Sequence, residues 1–317
     1  MSDERPVVAR GLVKTYGEVV AVDHVDLTVE AGDVFGYLGP NGAGKTTSLR
    51  MLLGLIRPTA GSARLFGRDP LLDGARAFEG VAGFVEGPRF YPYLSGRRNL
   101  QLLADYDGGD ARRRIDEVLD IVELRDRAKH RVGGYSHGMR QRLGIAASLI
   151  RNPRMLLLDE PTTGLDPAGM RDMRTLVRRL ADEGITVMLS SHLLTEVEEL
   201  CNRVAIIRKG RILYEGSLAE LLKTAGEQYR LRPVEPERAR LVCLSHPGLE
   251  DVETEGDEIV FRATEEAVAA LTIALGQARI GFVSLAPRST SLEELFLGMT
   301  EGEPAGEPDA PAQEAAA

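Results

Sequence analysis

A glycine-rich segment ends in a lysine and two hydroxyl side chains, a combination that suits the binding of phosphate groups. Residues 39–47 read Gly-Pro-Asn-Gly-Ala-Gly-Lys-Thr-Thr and follow the pattern G-x-x-x-x-G-K-[ST]. Glycines let backbone N–H groups wrap around phosphates at the start of a helix, Lys45 adds a positive charge, and the Thr46 hydroxyl can bind Mg²⁺. The predicted phosphate-binding loop consists of Gly39, Pro40, Asn41, Gly42, Ala43, Gly44, Lys45, Thr46 and Thr47.

An apolar run leads directly into two carboxylates. Residues 155–158 read Met-Leu-Leu-Leu and precede Asp159 and Glu160. Open parallel sheets bind ligands at the carboxyl ends of their strands, although such a run by itself is as often simply the end of a strand. Together with the phosphate-binding loop, the pair predicts a P-loop NTPase in which Asp159 lies near Mg²⁺ and Glu160 faces the attacking water.

The composition limits the classes of protein that this chain can be. Its 317 residues are 43% hydrophobic and 27% charged, which predicts a folded protein of about two domains. The net charge of −9 and the lack of a basic patch argue against nucleic-acid binding. Two cysteines are too few for a disulfide framework or a metal cluster. Because the sequence shows neither a signal segment nor a long apolar stretch, we expect a cytoplasmic location.

The elements that must position these residues alternate between strand and helix, as in a parallel sheet covered by helices. The chain shows no internal repeat, so we expect one nucleotide site per chain. Strands are predicted at 34–38, 155–158, 186–189 and 204–208. Helices are predicted at 45–55, 111–122, 139–150, 167–182 and 193–201. This pattern predicts an α/β fold.

The pattern of predicted strands and helices changes after Glu220. We expect a first domain over residues 1–224, a small α+β domain over 225–300 and a disordered acidic tail over 301–317. In the small domain, strands are predicted near 258–262 and 280–285 and a helix near 265–277. A last helix is predicted to begin at Ser291, with Glu294 completing a capping box.

Further motifs stand in a fixed order around the two carboxylates. Residues 135–142 read Tyr-Ser-His-Gly-Met-Arg-Gln-Arg before the carboxylates, whereas Gly-Leu-Asp at 164–166 and Ser-Ser-His at 190–192 follow them. No Asn-Lys-x-Asp guanine-reading motif occurs. In this order, residues from about 7 to 220 resemble the nucleotide-binding subunit of an ATP-binding-cassette (ABC) transporter. The resemblance implies a mostly parallel sheet with a helical subdomain at about 88–150.

The resemblance also implies what individual residues do. Tyr16 would stack on adenine, Glu160 would be the general base, and His192 would contact the γ-phosphate. Ser136, Gly138 and Met139, in the signature segment, would complete the ATP site of the opposite subunit, and Asp166 would communicate across the dimer. The protein would then be a Mg²⁺-dependent ATPase that forms a head-to-tail homodimer around two ATP molecules.

The sequence departs from the family pattern at identifiable positions. The common signature is Leu-Ser-Gly-Gly-Gln, and here Tyr135 replaces Leu, His137 the first Gly and Met139 the Gln. We expect His137 at a solvent-side position rather than as a titrating or catalytic group. Glu86 stands where the family usually has Gln; a carboxylate can still bind Mg²⁺ there, so Glu86 is a candidate metal ligand.

Aromatic residues cluster just after Glu86. Residues 87–94 read Gly-Pro-Arg-Phe-Tyr-Pro-Tyr-Leu. Clustered aromatics often belong to a core, but in the family this segment borders the groove that receives a short helix from the membrane subunit. We therefore favour a surface at Phe90, Tyr91 and Tyr93 for a separate transmembrane permease, which would hold the protein at the inner face of the cell membrane.

The signature and this aromatic segment resemble the branch of the family that serves antibiotic-resistance and peptide-antibiotic exporters. That resemblance implies drug or antibiotic export, with the C-terminal unit supporting dimer contacts or regulation. A neutral alternative is that this unit covers apolar surface of the first domain. The alternatives for the whole chain are a soluble cassette ATPase that works without a permease and a regulatory protein that binds ATP without hydrolysing it.

Overall fold

The chain divides into two compact units. The computed structural model describes residues 5–224, 228–288 and 292–301. The units are Met1–Ala219 and Glu220–Ala317. Among the described residues, no helix is long and apolar enough to span a bilayer.

The first unit contains a mostly parallel sheet and a separate antiparallel sheet. Its strands are β1 (Val7–Tyr16), β2 (Val19–Val29), β3 (Val34–Leu38), β4 (Ala60–Leu65), β5 (Val81–Phe84), β6 (Met155–Asp159), β7 (Thr186–Ser191), β8 (Arg203–Arg208) and β9 (Arg211–Ser217). The larger sheet has the order β5-β6-β7-β3-β8-β9. Within it, neighbouring strands from β5 to β8 are parallel, and β9 is antiparallel to β8.

The three central strands β6, β7 and β3 are buried along their whole length. β3 and β6 are mostly apolar, and β7 has an apolar centre at 187–189 between buried hydroxyl residues, as expected for parallel strands that are covered on both faces. Their carboxyl ends lie side by side, since Leu38 pairs with Ser191 and Asp159 pairs with Ser190. This register brings the phosphate-binding loop, the two carboxylates and the Ser-Ser-His segment to one edge of the sheet.

The antiparallel sheet, with the order β2-β1-β4, is an element that the sequence analysis did not predict. In β1, buried Val7, Ala9 and Leu12 are separated by more exposed residues, the pattern of a strand with one face in the core. Register shifts interrupt the pairing of β1 with β2. These strands share one core cluster with Phe35 and Leu157 of the central strands.

The helices of the first unit are α1 (Lys45–Leu52), α2 (Gly96–Asp107), α3 (Ile115–Ile121), α4 (His137–Leu149), α5 (Pro167–Asp182) and α6 (Leu194–Leu200). Helix α7 (Leu218–Thr224) contains the boundary between the two units. Short 3₁₀ segments occupy Gly74–Phe78, Arg125–Arg127 and Val132–Gly134. Helices α2, α3 and α4 fall within the stretch predicted as a helical subdomain.

Several predicted helix boundaries are wrong by a few residues, and local hydrogen bonds explain why. Helix α1 is shorter than predicted because the Leu55 N–H turns back to the Arg50 carbonyl at 2.8 Å. Helix α4 begins earlier than predicted because the Ser136 hydroxyl caps it by accepting from the Met139 N–H. The sequence analysis missed α2, which is capped by Ser95.

The second unit is an antiparallel sheet with helices in the order βαββαβ. Its strands are β10 (Gln228–Pro233), β11 (Leu249–Glu255), β12 (Glu258–Ala263) and β13 (Phe282–Arg288), and its helices are α8 (Pro236–Ser245), α9 (Glu265–Gln277) and α10 (Leu292–Glu301). The sheet order is β11-β12-β10-β13, with antiparallel neighbours. This is the ferredoxin-like arrangement.

The second unit has a core of its own, which includes Leu231, Phe261 and Leu271. The predicted strand at 280–285 begins later because the Ile280 N–H bonds to the Leu275 carbonyl and so belongs to the end of α9. The predicted capping residue Ser291, the side chain of Glu294 and the tail from 302 to 317 lie outside the described residues.

Candidate active site

The phosphate-binding loop fits closely between β2 and β8. A Cβ atom at Gly39 would lie 2.3 Å from the Ile207 carbonyl oxygen. Gly44 has φ +107°, and its Cβ would lie 2.5 Å from the Ala21 carbonyl oxygen. Only glycine fits at these two positions. Because Gly44 is the N-cap of α1 and has no side chain, it leaves the first N–H groups of that helix without a side-chain cap. Uncapped N–H groups at the start of a helix can bind phosphate.

Lys45 is the first residue of α1, and its side chain is only 5% exposed. Its Nζ donates to the carbonyl oxygens of Gly39, at 2.6 Å, and Pro40, at 3.2 Å. The same Nζ lies 3.4 Å from Oε1 of Glu160. The ammonium group is therefore held inside the loop and beside the carboxylate of Glu160, which follows β6.

Asp159, the last residue of β6, joins three parts of the site. Its Oδ1 accepts from the Ser190 hydroxyl at 2.5 Å. Its Oδ2 accepts from the Thr46 hydroxyl at 3.2 Å and from the Glu86 N–H at 3.3 Å. The carboxylate is 4% exposed. A carboxylate and a hydroxyl thus meet at the end of the phosphate-binding loop.

This pair of oxygen donors fits a magnesium ion. Mg²⁺ prefers oxygen ligands and is usually held by one or two carboxylates together with substrate phosphates and water. The described residues contain no cluster of three or more acidic, histidine or cysteine side chains that could enclose a metal. The donor set of Thr46 and Asp159 therefore suits an ion that arrives with a phosphate ligand.

Glu86 meets Asp159 through its backbone rather than its side chain. The residue has φ +62°, and its N–H points at Asp159. Its carboxylate forms an ion pair with Arg50 of α1 and is 53% exposed. The Glu86 carboxylate, which was predicted as a candidate metal ligand, is therefore paired with Arg50 in this structure.

Glu160 lies just beyond β6 in a left-handed backbone conformation, with φ +46°. Its N–H donates to the Ser190 hydroxyl at 3.0 Å. Its Oε2 accepts from the Thr163 hydroxyl at 2.7 Å and from Nδ1 of His192 at 2.8 Å. Since the carboxylate is the acceptor, Nδ1 of His192 carries a proton, and Nε2 is the nitrogen left for other contacts.

The electrostatics of the site keep Glu160 ionised. Burial raises the pKa of this carboxyl group, but the hydrogen bond from Thr163 and the charges of Lys45 and His192 outweigh burial. The pKa therefore lies below its ordinary value. A carboxylate that is ionised at neutral pH can accept a proton from water.

The Ser-Ser-His segment supports the site through residues that sequence reasoning did not select. Ser190 binds both Asp159 and the backbone of Glu160. Ser191 donates to Oε2 of Glu196 at 2.7 Å, and Glu196 is fully buried. Burial raises the pKa of Glu196. In the sequence, these residues are visible only as two serines before His192. Their hydrogen-bond partners depend on the strand register, which the sequence does not give.

The signature segment forms the start of α4. The Ser136 hydroxyl accepts from the Met139 N–H at 3.2 Å, and Ser136 itself is exposed. Tyr135 is buried, and its hydroxyl donates to the Arg127 carbonyl at 2.8 Å, so an aromatic residue fits where the family pattern has Leu. His137 is exposed, as predicted, and its Nε2 also lies 3.0 Å from the Thr163 carbonyl.

Asp166 caps α5 by accepting from the Gly169 N–H at 2.9 Å. Together with Ser136, Gly138 and Met139, it lines a cleft of about 520 Å³. Of the residues that the structure describes around this cleft, none belongs to the phosphate-binding loop. The chain therefore does not bring its own signature residues and phosphate-binding loop into one cavity.

Tyr16 ends β1, and its ring is partly open to solvent at 47% exposure. Tyr16 is followed by the turn into β2, the strand that contains Ala21. The carbonyl oxygen of Ala21 lies close to Gly44 of the phosphate-binding loop. Lys14 Nζ lies 5.0 Å from the ring centroid. The tyrosine is thus attached to the hairpin that packs on the phosphate-binding loop.

The aromatic segment after Glu86 lies mostly at the surface. Tyr91 and Tyr93 are 55% and 64% exposed, and their ring centroids are 5.8 Å apart. Buried Asn99 of α2 holds this segment: its Oδ1 accepts from the Tyr91 N–H and its Nδ2 donates to the Tyr91 carbonyl. The core-packing alternative is therefore wrong for these two tyrosines.

Phe90 is half-buried and lines a groove between this segment, α2 and α4. The groove has a volume of about 390 Å³. Leu103 and Tyr106 of α2 extend its apolar surface, and Tyr106 is 91% exposed. Sequence reasoning missed these two residues because it did not predict α2.

Comparison with known proteins relates this arrangement to one family. Residues 22–163 match the family model described as ABC transporter. The chain is 42% identical to the bacitracin transport ATP-binding protein BcrA of Bacillus licheniformis, over 78% of this chain and 82% of that protein. It is 37% identical to the daunorubicin resistance ATP-binding protein DrrA3 of Streptomyces coeruleorubidus, over 93% of this chain and 95% of that protein.

Solved structures agree on the fold. A dimeric ATP-binding cassette in a post-hydrolysis state, bound to ADP and phosphate, aligns with a TM-score of 0.60 and 27% identity, over 67% of this chain and 98% of that chain. The fold and site define an ATP-binding cassette, an ATPase of the P-loop class. The chain belongs to the ABC transporter family, as one of its ATP-hydrolysing subunits. The resemblance to the antibiotic-resistance branch is thereby confirmed.

Proposed function

We propose that this subunit powers the export of a drug or antibiotic through a separate membrane permease. The observation that carries the catalytic part is the convergence of Lys45, Thr46, Asp159, Glu160 and His192 at the carboxyl edge of the central strands. The similarity to proteins named for bacitracin transport and daunorubicin resistance supports the class of cargo.

In the proposed reaction, a water oxygen attacks the γ-phosphorus in line with the bond to the β–γ bridging oxygen, and that bond breaks. Glu160 accepts the proton of the water, because its carboxylate is ionised and is oriented by Thr163 and His192. Nε2 of His192 faces the γ-phosphate. Lys45 and the N–H groups of the loop stabilise the charge on the phosphate oxygens.

We propose that Thr46 and Asp159 hold Mg²⁺, with Glu86 as a further candidate if its carboxylate leaves Arg50. A bound Mg²⁺ would neutralise charge on the β- and γ-phosphates. Tyr16 is proposed to stack on adenine, since its exposed ring belongs to the hairpin that packs on the loop.

We propose a head-to-tail homodimer around two ATP molecules. Ser136, Gly138, Met139 and Asp166 would then complete the site of the opposite chain. The separation of their cleft from the phosphate-binding loop of the same chain supports this arrangement. The Ser136 hydroxyl and the first N–H groups of α4 would bind the γ-phosphate of the nucleotide on the other chain.

The groove beside Phe90, Tyr91 and Tyr93 is the proposed docking surface for the permease. Exposed aromatic side chains next to an apolar groove are typical of protein interfaces. Docking there would hold the subunit at the inner face of the cell membrane. We further propose that the first domain spans 1–224 and that the domain at 225–300 supports dimer contacts or regulation, with an acidic tail over 301–317.

Co-expression with the membrane protein encoded beside this chain tests the proposal. ATPase activity should be measured for the subunit alone and for the purified complex, with Glu160→Gln as the inactive control. Co-purification with stimulated, Glu160-dependent hydrolysis is the expected result. Strong hydrolysis with no membrane protein retained would instead favour a cassette ATPase that works without a permease.

A further inference from the structure

His137 occupies the signature position at which the common family pattern has glycine. It is the first residue of α4, and its Nε2 lies 3.0 Å from the Thr163 carbonyl oxygen. A carbonyl oxygen only accepts hydrogen bonds, so Nε2 carries a proton and donates. The imidazole also packs on Gly164, where a Cβ atom would lie 3.4 Å from Nε2.

Thr163, whose carbonyl accepts from His137, also orients the proposed base Glu160. The Thr163 hydroxyl donates to Oε2 of Glu160 at 2.7 Å, and the Thr163 N–H donates to the Glu160 carbonyl at 3.2 Å. A second donor to Oε2 is Nδ1 of His192, at 2.8 Å. The direction of the Glu160 carboxylate is therefore set between Thr163 on one side and His192 on the other.

The loop that contains Thr163 touches the start of α4 at a second point. A Cβ atom at Gly138 would lie 3.5 Å from Cδ2 of Leu165. The loop is also closed on itself, since the Leu165 N–H donates to the Thr162 carbonyl at 3.1 Å. The hydrogen bond of His137 thus holds the loop against the signature helix, and Leu165 lies near Gly138.

We propose that His137 is a positioning residue for ATP hydrolysis. Its Nε2–H holds the Thr163 carbonyl, and Thr163 in turn fixes the carboxylate of Glu160. The signature helix is thereby linked to the base of its own chain. A side chain is required for this link, and glycine at position 137 would not provide it. The inference rests on the proposed role of Glu160 as the general base.

The first test compares His137→Ala with His137→Gln and His137→Asn in the full-length chain. Loss of one neutral hydrogen bond predicts a kcat lower by about 3- to 10-fold for the Ala variant. KM for ATP should stay within about twofold, because the substitution removes a side chain and leaves the backbone N–H of residue 137 and the phosphate-binding loop unchanged. Gln can place an N–H donor near the position of Nε2 and should restore kcat, whereas the shorter Asn should not. A Gln variant as slow as the Ala variant would refute the role of the donor.

The second test is a double-mutant cycle with Thr163→Val, which removes the hydroxyl that reaches Glu160 and keeps the backbone carbonyl. If His137 acts through Thr163, adding His137→Ala to this variant should change kcat by less than about twofold. If the two losses multiply, His137 acts by another route, such as contact with a nucleotide on a second chain, and the inference is wrong.

Controls separate failure of this inference from failure of the proposed function. A normal kcat for His137→Ala beside an inactive Glu160→Gln would refute only the role of His137. Turnover near the wild-type rate in Glu160→Gln would refute the base, and with it this inference. ATP affinity and melting temperature report whether each variant is folded; if the Ala variant does not fold, the Gln and Asn variants carry the comparison.

Discussion

The edge of the central strands and the aromatic groove are built in opposite ways. At the edge, Lys45 and Asp159 are about 5% exposed or less, and each has several hydrogen-bond partners. In the groove, Tyr106 is largely exposed, and Tyr93 is likewise exposed in the segment beside it. Phosphoryl transfer needs charges that are fixed and shielded from water, whereas docking needs apolar surface that a partner can cover. Substitutions in the two regions should therefore affect different measurements.

Glu160→Gln should give the largest effect. Gln keeps the size of the side chain but cannot take the proton of the attacking water, so we expect kcat to fall by roughly 10²- to 10⁴-fold. ATP affinity should be retained. Steady-state hydrolysis and an equilibrium nucleotide-binding assay check both parts, with exposed Glu253→Gln in the second unit as the matched control. Unimpaired hydrolysis by Glu160→Gln would remove Glu160 from the mechanism.

Lys45→Ala should weaken ATP binding itself. The substitution removes the buried ammonium that lies beside Glu160 and inside the loop. A charge-assisted contact to phosphate contributes on the order of 1.5–3 kcal/mol, which predicts about a 10- to 100-fold higher Kd for ATP. Titration with a fluorescent ATP analogue measures this value. Unchanged affinity would contradict the phosphate-binding role of the loop.

A double substitution beside the groove, Tyr91→Ala with Tyr93→Ala, should separate docking from catalysis. Loss of two exposed aromatic side chains is expected to weaken association with the permease by about 10-fold or more. Hydrolysis by the isolated chain should stay within about twofold of the wild-type rate. Co-purification and ATPase assays measure the two effects. Leu72→Ala, an 84% exposed apolar side chain, is the control, and equal loss of association in that variant would argue against a specific surface.

Glu196→Gln should have the smallest effect, and it should appear in stability. Burial raises the pKa of Glu196 above its ordinary value, so ionisation costs more in the folded chain than in the unfolded chain. The wild type therefore loses stability as pH rises from the ordinary value of about 4.5 through the raised folded pKa, and a Gln variant does not.

The expected outcome is that the free energy of unfolding of Glu196→Gln rises relative to that of the wild type between pH 5 and pH 8. Urea unfolding of both proteins at the two pH values measures the difference. An equal difference between the two proteins at both pH values would show that Glu196 does not titrate in this range.

The sequence predicted those parts of the fold that depend on local pattern. Strands β3, β6 and β7 are short runs that contain consecutive apolar residues between motif residues, and each was predicted to within two residues. Strands β1 and β2 were not predicted, because their buried and exposed residues alternate irregularly across register shifts. The strand order of the second unit depends on pairing between distant segments and could not be deduced from local pattern.

The same distinction applies to the site. Lys45, Thr46 and the two carboxylates belong to motifs with a chemical reason for each residue, so sequence reasoning could select them. Ser190 and Thr163 are ordinary hydroxyl residues in sequence. Ser190 becomes important because strand register places it beside Asp159, and Thr163 because a left-handed turn at Glu160 brings its hydroxyl to the carboxylate.

The single hydroxyl of Ser190 donates to Asp159 and accepts from the N–H of Glu160, and the strand that carries it continues into His192. Asp159 and Glu160 belong to the β6 segment and Ser190 to β7, so sliding β7 along β6 would strain both hydrogen bonds of this hydroxyl at once. One hydroxyl therefore keeps the proposed metal ligand and the proposed base in register with the strand that leads to His192.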